Sequence, residues 1–131
     1  MYLVFSVSSP SSDVLKISHT SQVIYAVLAD RSKAYLKYTV ENGVMKLLET
    51  YTPPQHRGKG VASLLVKYAI ELAERNNWLI EPICSYTIHF FMKNPDYRRI
   101  LTSSYRSLSE EEWRRLFEEA KTREKLKETS Q

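Results

Sequence analysis

The hexapeptide Gln55-His56-Arg57-Gly58-Lys59-Gly60 gathers two of the chain's three glycines, each preceded by a base. Glycine lets backbone approach a ligand closely and take left-handed dihedrals. From Val61 the residues Val61, Leu64, Leu65, Tyr68, Ala69, Leu72 and Ala73 fall on one helical stripe, with Lys67, Glu71, Glu74 and Arg75 off it. A long amphipathic helix is therefore predicted to start directly after Gly60, with Glu71 and Arg75 spaced for an i,i+4 ion pair. Its first N–H groups have no intrahelical acceptor and lie at the positive end of the helix dipole. A glycine turn, the bases Arg57 and Lys59, and a helix start together suit a pyrophosphate-like anion. Pro53 and Pro54 lack N–H groups, so the strand before them must stop there.

Three other side chains could take part in chemistry. Cys84, the one cysteine, offers a thiol whose ordinary pKa is about 8.5, or else a small buried apolar residue. Tyr86 offers a phenolic proton or an aromatic packing surface, and the chain has nine tyrosines. Glu49 could act as a base through water, though alternation along its strand leaves its side open. His56 within the loop is expected to face solvent, and His89 to lie on the surface.

The nucleotide patterns narrow the ligand. No Gly-x4-Gly-Lys-Ser/Thr run exists, and Ser63 stands where Gly-x-Gly-x-x-Gly needs its third glycine. The hexapeptide does fit Gln/Arg-x-x-Gly-x-Gly/Ala. It resembles the acetyl-CoA pyrophosphate loop of the GNAT superfamily of N-acetyltransferases. Thr50 to Pro54 with Arg57-Gly58-Lys59-Gly60, then Pro82-Ile83-Cys84-Ser85-Tyr86 and Asn94-Pro95-Asp96-Tyr97, are similar to the small single-domain YjdJ-like GNAT proteins, over roughly Ile17 to Leu101.

That resemblance implies an α/β, mixed α+β fold: a twisted mixed sheet flanked on both sides by helices, with a splayed strand pair gripping the pantetheine arm. It implies acetyl-CoA as cosubstrate and a primary amine as acceptor. It places donor binding at Thr50, Tyr51, Thr52, Gln55, Arg57, Gly58, Lys59, Gly60, Val61, Ala62 and Asn94, and candidate catalysis at Cys84, Tyr86 and Glu49. A cysteine at the Cys84 position could accept the acetyl group before passing it on, or simply line the groove. The sequence departs from the pattern at Phe90, where related chains tend to carry Tyr, and at Asn94, where they tend to carry His. Phe90 cannot donate a proton. A CoA-binding module with weak or no transferase activity is the rival reading.

Positioning these residues requires one domain, for which 131 residues suffice. Residues 1–108 are the expected acetyltransferase domain and 109–131 a helical extension packed on it. Ser109-Glu110-Glu111-Glu112 is a capping box, and Trp113, Leu116, Phe117 and Ala120 share one face. Only Leu126 is strongly apolar beyond Ala120, so fraying is expected there. The extension reads as a stabilising helix, a homodimer contact or a lid over the acceptor site.

Residues 2–7 read as a strand and Ser8 to Asp13 as a loop. Val23 to Leu28 and the alternating Ala34 to Val40 read as strands, with turn-like residues 29–33 between them. Asn42-Gly43 makes a hairpin turn, and Val44 to Tyr51 returns as the next strand. After the long helix come a strand at Trp78 to Ile83 and a helix at Ser85 to Met92, stopped by Asn94-Pro95. Strand–helix–strand implies parallel strands, both ending at one edge, so Thr50–Thr52 and Cys84–Tyr86 should flank a single groove.

Hydrophobic residues are 43% and charged residues 26%, ordinary for a soluble protein, and a cytoplasmic location is the default reading of the lone cysteine and the short MYLVFSV start. No zinc-type Cys/His spacing appears, so no metal is expected, and no membrane span. The net charge of +4 is modest and favours an anionic ligand. A nucleic-acid-binding domain is a remote alternative, since no groove-reading helix or RNA-binding motif accompanies that charge.

Overall fold

The computed structural model describes residues 13–129, so the strand expected at 2–7 and nearly all of the loop after it lie outside the described residues. Among the described residues five strands form one sheet in sequence order: β1 (Val14–His19), β2 (Val23–Leu28), β3 (Lys33–Glu41), β4 (Val44–Tyr51) and β5 (Leu79–Pro82). The first four make an antiparallel meander, while β5 runs parallel to β4. A parallel neighbour needs a crossover, supplied by α1 (Val61–Asn76). The hairpin between β3 and β4 turns on Asn42 (φ 53°) and Gly43 (φ 76°), the positive dihedrals that a tight two-residue connection requires. β1 is a strand that the alternation of its sequence did not announce. β5 is shorter at both ends than the expected Trp78 to Ile83.

One face of the meander is apolar because alternate residues point to it. Ile24, Ala26 and Leu28 on β2, Ala34, Leu36 and Tyr38 on β3, and Met45 and Leu47 on β4 are all buried. Against them packs α1 through Val61, Leu65, Tyr68, Ala69, Leu72 and Ala73, as the stripe predicts. Val66 and Ile70 are buried as well, so α1 is covered over a wider arc than that stripe. Glu71 and Arg75 do not form the expected pair among the described residues; Glu74 instead meets Arg99 at 3.3 Å. The helix ends where Asn77 takes φ 59° and the Trp78 N–H returns to the Ala73 carbonyl.

On the other face, Val23, Tyr25, Lys33, Tyr35 and Lys37 line an open depression of about 530 Å³. No helix packs closely there among the described residues, so the expected cover on both sides does not reach β2 and β3.

Beyond β5 the chain forms α2 (Ser85–Lys93), a 3-10 turn (Pro95–Ile100), the short α3 (Ser103–Arg106) and α4 (Glu110–Thr129). The capping box forms as predicted: Ser109 N–H donates to Glu112 Oε1 (2.8 Å) and Glu112 N–H to Ser109 Oγ (3.1 Å). Trp113 and Ala120 are fully buried, and α4 packs on α2. Arg98 binds these parts together. It donates to the Phe91 carbonyl (2.8 Å), pairs with Glu110 (2.8 Å) and lies 4.9 Å from the Trp113 ring centre. The helix runs to Thr129, and its second half makes polar contacts with Ile83 and Ser85.

Candidate active site

The site begins with a break in strand pairing. β3 and β4 are in register from Glu41–Val44 to Tyr38–Leu47. Then Leu48 is passed over, so that Lys37 faces Glu49 and Tyr35 faces Tyr51. This bulge moves every later β4 side chain to the opposite face. Glu49 therefore stands on the open face, taking a hydrogen bond from Tyr35 (3.2 Å) and lying 3.9 Å from Lys37. The side that sequence alternation left open is fixed by the bulge.

Pairing of β4 with β5 stops at Leu47–Pro82. The Leu47 carbonyl accepts from both Ile83 N–H (2.9 Å) and Cys84 N–H (3.2 Å), and beyond it the two chains part. The gap is a groove of about 400 Å³ lined by Leu48, Glu49 and Thr50 on one side, Ile83 to Tyr86 on the other, and Arg123, Glu124, Lys127 and Glu128 from α4. Thr50 and Cys84 to Tyr86 thus meet at one groove. Tyr51 and Thr52 do not line it.

Cys84 is buried, with its sulfur 3.3 Å from Thr87 Oγ1 and 4.0 Å from Thr50 Oγ1. The Thr87 hydroxyl donates to the Cys84 carbonyl (3.0 Å), which leaves its oxygen free to accept from the thiol. Tyr86 is half-buried in the first turn of α2. Burial raises its phenol above the ordinary tyrosine value, opposed by the neighbouring Ser63 side chain. Ser63 lies in the first turn of α1, so this contact joins the groove to the glycine loop.

That loop follows a 3-10 turn (Pro54–His56). Gly58 and Gly60 have φ of 78° and 82°, and Gly60 stands at the N-cap of α1 with no side-chain hydrogen bond to the first-turn N–H groups. An uncapped helix start leaves those donors for an anion. Arg57 is held by the Thr52 carbonyl (2.8 Å) and lies 6.0 Å from the Tyr51 ring centre, so Tyr51 and Thr52 serve the loop. Lys59 meets Asp13 at 3.3 Å. Val61 is buried and Ala62 half-buried at the helix start.

His56 corrects an expectation: it is buried, not solvent-facing. Its Nε2 donates to Asp30 Oδ2 (2.9 Å), and its Nδ1 lies 3.6 Å from Asp13 without a hydrogen bond. Gln55 also donates to Asp30 (3.1 Å). The Ser32 hydroxyl, then Gln55, the Ser32 N–H and His56 hold the Asp30 carboxyl far below the usual range. Asp30 is thus the anchor of the loop, and sequence reading missed it. A local signal existed in the turn Asp30-Arg31-Ser32, where Arg31 takes φ 74°, but its partners lie 25 and 26 residues away.

Asn94 lies apart from the groove-lining residues. Its side-chain amide donates to the Phe90 carbonyl (2.8 Å) at the end of α2, and Phe90 is packed with Phe91 and Tyr97. His89 is half-buried against Phe117, with ring centres 5.3 Å apart.

The profile of the GCN5-related N-acetyl-transferase family matches residues 24–100. The chain belongs to this family. This N-acetyltransferase is also similar in fold to a solution NMR structure from Staphylococcus aureus, provisionally assigned as a GCN5-like N-acetyltransferase. The TM-score is 0.53 at 24% identity, covering 70% of this chain and 90% of the other. The matched segment runs from β2 to the 3-10 turn after α2, so α4 lies outside it. Among the described residues no helix is long and apolar enough to cross a membrane.

Proposed function

We propose that this acetyltransferase uses acetyl-CoA as donor and a primary amine as acceptor. The observation that carries the reading is the adjacency of a splayed β4–β5 pair to an uncapped, glycine-turned helix start. The N–H groups at Gly60 to Ala62, with Arg57 and Lys59, would hold the pyrophosphate, and Gln55 and Gly58 shape that loop. The β4 backbone at Leu48 to Thr50 would hold the pantetheine arm, and its N–H groups can polarise the thioester carbonyl. Asn94 is assigned to the donor site by resemblance alone.

The chemistry asked of the chain is modest. An alkylamine is mostly charged at neutrality, with a pKa of about 10, so a base must take a proton before nitrogen attacks the carbonyl carbon. Glu49, which lines the groove, is assigned this role through water. As the carbon–sulfur bond breaks, Tyr86 gives its proton to the departing thiolate and is reprotonated from solvent. A raised phenol remains protonated at neutrality, which this role needs. Cys84 either lines the groove or takes the acetyl group first, losing its proton and returning the acetyl to the amine.

Calorimetry with CoA and acetyl-CoA, followed by intact mass, tests the reading. Micromolar binding supports it; no heat and no thermal shift with either ligand would sink it. An acetyl adduct on Cys84, with Cys84→Ala losing turnover but not CoA binding, would establish the covalent route. Full activity in Cys84→Ala would exclude it. The second reading, a CoA-binding module with little transferase activity, is favoured by Phe90, which has no hydroxyl, and by Asn94, whose amide is occupied within α2. Binding without turnover over a panel of amines would select it.

A further inference from the structure

Where β5 loses its strand partner, its backbone must find others, because buried N–H and C=O groups are costly when unpaired. The accounting from the Ile83 N–H to the Ser85 N–H is complete. The Ile83 and Cys84 N–H groups go to the Leu47 carbonyl, and the Cys84 carbonyl accepts from Thr87 Oγ1 and Ile88 N–H. The remaining two groups are met from α4. Arg123 donates to the Ile83 carbonyl (2.8 Å), and Glu124 Oε2 accepts the Ser85 N–H (2.7 Å) while its Oε1 accepts the Ser85 hydroxyl (2.7 Å).

Two consecutive residues of opposite charge thus match the last carbonyl and the first free amide of one short segment. The Glu124 carboxylate also occupies the N-terminus of α2, where Cys84 makes no side-chain cap of its own. These contacts fall beyond Ala120, where the apolar face of α4 has ended, so burial does not explain why this part of the helix is held here.

We propose that Glu124, assisted by Arg123, is a positioning residue for the Cys84-Ser85-Tyr86 turn, and that the second half of α4 is a wall of the active-site groove. The functional half of this inference rests on the proposed donor site; the positioning itself does not. Holding Ser85 by both its amide and its hydroxyl fixes the backbone that carries the groove thiol on one side and the Tyr86 phenol on the other. Arg123 and Glu124 lie outside the matched segment, whereas Ile83 and Ser85, which they hold, lie within it.

Cys84 is the chain's one cysteine, and it gives a direct readout. The rate of its alkylation by iodoacetamide, followed by intact mass, is measured in wild type, Glu124→Ala, Glu124→Gln and Lys125→Ala, with CoA binding read by calorimetry. Glutamine keeps an acceptor for the Ser85 amide. The expected result is at least fivefold faster alkylation in Glu124→Ala, near-wild-type rates in Glu124→Gln and Lys125→Ala, and unchanged helical circular dichroism throughout.

Alkylation of Glu124→Ala within twofold of wild type overturns the proposal, as does an equal rise in Glu124→Gln. If Glu124→Ala loses its fold, Arg123→Met together with Ser85→Ala takes its place, with the same fivefold criterion. Wild-type protein that binds no CoA would remove the donor-site reading, while the alkylation series would still decide whether Glu124 positions the turn.

Discussion

Gly58 holds φ 78° in open space: a Cβ built there meets nothing within 4 Å. Gly58→Ala therefore suffers backbone strain without a clash, and is expected to cost about 1–2 kcal/mol in denaturant unfolding. Tyr86 is argued as a proton donor, so Tyr86→Phe should lower turnover by about a hundredfold or more while leaving CoA binding intact by calorimetry. Equal turnover would assign the residue to packing with Ser63. The glycine loop and the groove cysteine were legible because their signals are local: residue type, order and spacing. The burial of His56 was not, since its partners Asp13 and Asp30 come from other parts of the chain. Nor was the side of Glu49, because a bulge depends on the register of β3 against β4 and leaves no mark in either strand alone.

At the scale of elements, α1 and the β3–β4 hairpin could be read directly. Val61 to Ala73 repeats with helical period, and Asn42-Gly43 accepts the positive φ of a tight turn. The packing face of α4 was legible only as far as Ala120. Its first turn depends on the reciprocal Ser109–Glu112 bonds, and Ser109→Ala should cost about 1 kcal/mol, measured by thermal or urea unfolding. Its second half is held by side chains reaching backbone groups about forty residues away, which no periodicity of its own sequence discloses. β1 escaped reading for a related reason: Val14, Leu15 and Ile17 follow no strict alternation, and its register slips between Val14 and Lys16.

For the whole molecule, opposed proton linkages bound a broad stability plateau. Asp30, Glu110 and Glu112 are all held below their ordinary values, by Ser32, Arg98 and the Ser109 amide respectively as the first cause. The folded state thus binds protons at these sites more weakly than the unfolded chain. Their stabilisation is complete above the unfolded carboxylate values of about 4 and drains away as pH falls below them. At the other end, burial raises the phenols of Tyr38, Tyr68, Tyr86 and Tyr105. These hold their protons more tightly when folded, so stability is retained below about pH 10 and lost as pH rises further. Thermal unfolding from pH 3 to 11 should show a plateau between, and Asp30→Asn should lie below wild type on that plateau but converge with it in acid.

The order of assembly follows from the parallel join of β4 to β5. The β1–β4 meander closes through short turns, whereas β5 can pair only after the whole of α1 has been traversed, a contact between residues distant along the chain. The groove lies at that seam and carries the contacts of α4 as well. Native-state hydrogen exchange should therefore find the amides of Ile83 to Ser85 opening in a smaller, less costly event than those of β2 and β3. The part of this enzyme that meets its substrates would be the last to form and the first to loosen.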